Sequence, residues 1–155
     1  MPRSLILAAV FLATVSPAFG NPDDAAGCKD SPLHARMKAC HIESCNNRDS
    51  AVNEFQIGDV DENGEFKTES LEGVTTWIRY SCPETTSALP KFRDDVQAAF
   101  QKDGYTVVYS GQDTNLRPVL TMKKKASDWI QLTTWEQFDQ EYYLFRAVHV
   151  GKAGQ

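Results

Sequence analysis

Leu89-Pro90-Lys91-Phe92-Arg93-Asp94-Asp95-Val96-Gln97-Ala98-Ala99-Phe100-Gln101-Lys102-Asp103-Gly104 is the stretch that decides the fold. Pro90 suits a first helical turn, Asp94 and Asp95 lie toward the positive N-terminal end, and Gly104 stands where a C-terminal cap is needed. Between those stops Leu89, Phe92, Val96, Ala99 and Phe100 recur at three- and four-residue intervals, while Lys91, Arg93, Asp95, Gln97 and Lys102 fill the other face. Such an apolar stripe must be buried, and the only large partner the rest of the chain offers is a sheet.

Outward from the helix the pattern changes to period two. Val74, Thr76, Ile78 and Tyr80 alternate with Thr75, Trp77, Arg79 and Ser81, a run rich in β-branched and aromatic residues. Strands are expected at residues 39–45, 52–58 and 72–82 before the helix, and at 105–110, 116–123, 128–136 and 141–150 after it. The links carry turn chemistry, as in Asp61-Glu62-Asn63-Gly64, and are too short for parallel crossovers. The expected fold class is therefore α+β: one long helix packed on a mostly antiparallel sheet, in the order βββ-α-ββββ. Lys123-Lys124-Lys125 reads as a solvated hairpin turn rather than a nucleic-acid patch.

Residues 1–20 have the layout of a secretory signal. Arg3 opens the segment, Leu5 to Val15 form an apolar run, and Ala18 and Gly20 are the small residues that place a cut before Asn21. The run is about 11 residues, well short of the roughly 20 that a bilayer span needs. The remainder, about 135 residues with a net charge near −6, is one domain over 33–150, after a flexible lead-in at 21–32 and before a tail at 151–155. That charge disfavours nucleic acid and anionic membrane as partners, and no membrane insertion is expected after cleavage.

All four cysteines, Cys28, Cys40, Cys45 and Cys82, follow the signal, and in an oxidising compartment they read as two disulfides. Cys40 and Cys45, five apart on one strand, should face opposite sides and take different partners. Two pairings then stay open: 28–45 with 40–82, or 28–40 with 45–82. Without a CxxC pair, a zinc site is disfavoured, and no metal or other cofactor is expected.

Cys28-Lys29-Asp30-Ser31-Pro32-Leu33, with Arg36-Met37 and Cys45 downstream, resembles the start of an envelope domain found upstream of the peptidoglycan-binding module in some OmpA-like proteins of Gram-negative bacteria. A looser likeness runs through Glu54-Phe55, Glu72-Gly73, Arg79-Tyr80, Gly104, Val107-Val108-Tyr109, Trp129 and residues 142–150. The resemblance implies a periplasmic or cell-envelope location, helix on sheet, and a Cys28–Cys45 bond, which leaves Cys40 with Cys82 as an added pair. No match to the peptidoglycan-binding module follows, so wall binding by that module is not carried over.

His34, His41 and His149 belong to no metal-ligand spacing, and no nucleophile elbow or phosphate loop occurs. A small secreted, nuclease-like hydrolase would use Arg146 and His149 with a carboxylate such as Glu72 or Glu136. Arg146 and His149 are three apart on one strand, however, and therefore point to opposite faces. No catalytic residue is assigned. The aromatics Trp77, Trp129, Trp135 and Tyr143 are the candidate binding residues, as a platform on the sheet face away from the helix. The expected function is that of an exported, non-catalytic domain binding another envelope protein or a glycan through that face. A small hydrolase and an inhibitor or immunity-type protein are the alternatives.

Overall fold

The computed structural model describes residues 23–83 and 88–151; the expected signal at 1–20 and the tail beyond Gly151 lie outside them. The chain runs β1 (His41–Cys45), β2 (Arg48–Val60), β3 (Phe66–Pro83), α1 (Ala88–Lys102), β4 (Thr106–Gln112), β5 (Pro118–Lys124), β6 (Asp128–Gln137) and β7 (Gln140–Val150). All strand pairs are antiparallel, in the order β1-β3-β7-β6-β5-β4, with β2 also on β3.

Helix α1 ends as its sequence dictates. Gly104, at φ +89°, turns the chain back, the Gly104 amide donates to Gln101 O and the Tyr105 amide to Phe100 O, and the Phe100 and Tyr105 rings meet at 4.9 Å. Its start lies at Ala88, so Asp94 and Asp95 fall in the second turn and the first turn holds no acid. Leu89, Val96 and Phe100 are buried. Val96 and Phe100 pack on a cross-strand row of Ile78, Phe145, Leu132 and Leu120, with Tyr80, Tyr143, Ile130 and Met122 beside it.

The expected architecture, with one long helix as the second layer, is corrected. α1 is 15 residues, shorter than the 18 of β3, and strand takes 57% of the described residues against 12% for helix. The fold is mostly antiparallel sheet, and its second layer is largely sheet as well. The N-terminal half of β3 runs past the end of β7 and pairs with β2, and this ribbon bends over the face opposite the helix. Register breaks between Arg48 and Ala51 and between Gln56 and Val60 supply the added twist. Gln56 Nε2 donates to Gln112 O, Thr121 Oγ1 to Gln56 O, and Tyr109 OH to Asp59. Phe55, Leu71, Trp129 and Val148 form a second core beneath the ribbon. At Gly73 β3 meets the end of β7 so closely that a Cβ would lie 2.0 Å from His149 O.

Two disulfides join Cys28 to Cys45 and Cys40 to Cys82. The expectation that Cys40 and Cys45 face opposite sides is corrected: a bulge between Ile42 and Ser44 shifts the register, and both border the helix-side core. The lead-in is tied down by more than sulfur. Arg36 forms a two-point ion pair with Asp24, bonds Asp30 and Cys40 O, and lies 5.6 Å over the Tyr80 ring, while Asp24 also accepts from the Ile42 amide.

Candidate functional site

Antiparallel pairing brings the β4–β5 turn and the β6–β7 turn to one end of the sheet, beside the start of α1. There Trp135 of β6 stands opposite Tyr142 of β7 on the ribbon side of the sheet. Their rings lie at 5.4 Å and within 8° of parallel. Arg79 of β3 sits over both, at 5.4 Å from Trp135 and 5.2 Å from Tyr142, and Arg117 sits 4.8 Å over Trp135. Glu43, at the β1 bulge, pairs with Arg79 at 2.6 Å. The result is a short ladder, two stacked rings with two guanidinium groups over them, at the end of the face that the ribbon leaves uncovered.

A groove of about 560 Å³ adjoins the ladder, walled by Leu89 and Pro90 of α1, Leu116, Pro118, Trp135 and the polar residues Arg93, Arg117 and Glu136. Arg93 reaches across to Ser110 Oγ and Val119 O. Arg93 Nε and Trp135 Nε1 are shut off from solvent without a hydrogen-bond partner among the described residues. Leu116 and Phe138, at the two turns, are the most exposed large apolar side chains among the described residues, at 73% and 87%. Both hold left-handed backbone, at φ 60° and 52°, a conformation costly for bulky side chains.

The four aromatics singled out from sequence do not form one platform. Tyr143 is on the helix side, fully buried and stacked on Tyr80 at 4.3 Å; Tyr142 is the one that faces outward with Trp135. Trp129 shares the face of Trp135, but Phe55 of the ribbon covers it at 6.4 Å and its indole donates to Ala126 O. Trp77, half-buried, lies beside a shallow recess with Arg48 and Asn53, apart from Trp135. Arg79, Arg117, Leu116, Phe138 and Tyr142 were not singled out. The legible signal was Leu116 and Phe138, apolar residues inside otherwise polar turns.

The groups of the hydrolase alternative are kept apart. Arg146 lies largely buried under the ribbon, 4.9 Å from the Phe55 ring and bonded to Gln131 Oε1, and burial holds its pKa below the usual value. His149, on the opposite face, has Nδ1 2.7 Å from Asp128 Oδ1, and the hydrogen bond from His149 keeps that carboxyl below its ordinary range. Glu72 bonds Ser50, and Glu136 is at the far end of the sheet from His149. His41, half-buried on β1, stands opposite Ser81. His34 is caged by aromatic rings, stacked on Phe145 at 4.2 Å with Tyr80 and Tyr143 edge-on, and burial pushes its pKa down to about 4. Among the described residues no cluster of three His, Cys, Asp or Glu groups could hold a metal ion, and no helix is long and apolar enough to cross a membrane. The chain matches no protein-family model, and a search of curated proteins returns no relative.

Proposed function

We propose that this chain is an exported, non-catalytic domain that binds another protein of the cell envelope through the Trp135 end of its sheet. The observation that carries the reading is the pair Leu116 and Phe138, held outward in left-handed backbone at the β4–β5 and β6–β7 turns, with Leu116 on the wall of the groove. The two-residue β6–β7 turn requires left-handed backbone, with Phe138 and Asp139 both at positive φ, but nothing in the fold requires large apolar groups at exposed turn positions, whereas a partner that covers them does. The two disulfides fit an oxidising compartment, and the signal-like first twenty residues together with the resemblance to an OmpA-associated domain support an envelope address. A protein suits the site better than a glycan, because guanidinium groups already lie over the rings on which a sugar would stack.

The test is chemical cross-linking in envelope extracts, comparing the native chain with Leu116→Ser/Phe138→Ser and with Trp135→Ala, each checked for folding by circular dichroism. The specific cross-linked product is expected to disappear in the folded double variant and to weaken in Trp135→Ala. An unchanged set of products from folded variants would refute the reading.

A further inference from the structure

The groove beside Trp135 is unbalanced in chemistry as well as shape. Arg93 and Arg117 border it against one carboxylate, Glu136. Two guanidinium groups against one carboxylate leave the lining net positive, which calls for an acidic occupant. Arg117 has no ion pair among the described residues. With one face of its guanidinium on the Trp135 ring, its edge is free for two parallel hydrogen bonds to a carboxylate. The apolar wall of Leu89, Pro90, Leu116 and Pro118 asks for a hydrophobic side chain next to that charge.

Resting on the protein-binding reading above, we infer that the occupant is an extended segment of the partner in which Asp or Glu alternates with bulky apolar residues, its carboxylate held by Arg117. An anionic lipid surface shares the charge, but a recess between a helix and two hairpin turns fits a narrow chain, and the net charge of −5 on the full sequence opposes approach to a charged bilayer.

The probes are acetyl-Phe-Glu-Leu-Glu-amide, its lysine counterpart acetyl-Phe-Lys-Leu-Lys-amide, and phosphatidylglycerol vesicles, titrated against the intact chain while following tryptophan fluorescence. The acidic peptide should bind about tenfold or more tightly than the lysine peptide, and its affinity should fall roughly fivefold or more in Arg117→Gln, less in Arg117→Lys. The fluorescence change should vanish in Trp135→Phe. Equal affinity for the two peptides, no binding of either, indifference to Arg117→Gln in a folded variant, or preference for the vesicles would each overturn the inference. Loss of the cross-linked product in Leu116→Ser/Phe138→Ser alongside failed peptide discrimination would sink this inference alone. An unchanged cross-linking pattern would remove the reading on which it stands.

Discussion

His34 has two ring nitrogens closed off from solvent and from any hydrogen-bond partner among the described residues, inside a cage of Tyr80, Tyr143 and Phe145. The unfolded residue titrates near 6.5 and the folded one near 4, the difference being the burial of a ring that would have to carry charge. Between those values the unfolded chain binds a proton that the folded chain refuses, so stability falls as the pH falls. The ceiling is about 3 kcal/mol, from roughly 1.4 kcal/mol per pH unit. Urea unfolding at pH 7 and again near pH 4.5 should show this loss in the native chain and a much flatter response in His34→Phe, which keeps the stack on Phe145 without a titrating group. An equally steep response in the variant would exclude His34 as the cause. Asp24 does not confuse the window: burial opposes its charge, but hydrogen bonds from Arg36 and the Ile42 amide outweigh this and hold its pKa below the ordinary 3.8, so its contribution is lost only under more acid conditions. No periodicity could announce the cage, since its rings come from β3 and β7, at least 46 positions further along the chain.

At the scale of elements, the ribbon made by β2 and the first half of β3 is what sequence patterning hid. Residues 67–70 are exposed, so their side chains show no alternation, and the strands appeared shorter than the 13 and 18 residues they have. The helix was legible because its stripe and its glycine cap are local signals; the location of the aromatics was not, because one step of register separates Tyr142 outside from Tyr143 inside. The ribbon's hold on the sheet centres on Phe55, fully buried against Trp129 and under the Arg146 guanidinium. Phe55→Ala should cost about 3–5 kcal/mol, since it opens a cavity and strips a covering ring from a buried cation. Hydrogen exchange should then rise first at residues 51–57 and at the paired part of β3, with α1 still protected. Uniform loss of protection across β2 and α1 would mean that the ribbon is no separate unit and that both faces of the sheet open together.

The whole molecule is held by two overlapping covalent loops, one closing over 17 positions between Cys28 and Cys45 and the other over 42 between Cys40 and Cys82. On chain entropy alone these stabilise the fold by about 3 and about 4 kcal/mol. The second bond is also part of the helix-side core, with Cys40 and Cys82 almost fully buried, whereas Cys28 and Cys45 are only partly so. Cys40→Ala/Cys82→Ala should therefore destabilise more than Cys28→Ala/Cys45→Ala in urea titrations, with mass spectrometry confirming that the remaining bond is intact. Because the loops share residues 40–45, and because Arg36 bonds Cys40 O while Asp24 holds the Ile42 amide, removing both bonds should cost less than the two single losses added together. A domain of this size has about 5–15 kcal/mol in total, so full reduction consumes a large share of it. The reduced chain is accordingly expected to populate unfolded forms at 37 °C while the oxidised chain does not, a dependence that fits an oxidising compartment. If fully reduced protein unfolds at the same urea concentration as oxidised protein, the sulfurs are dispensable and the physical argument for export fails with them.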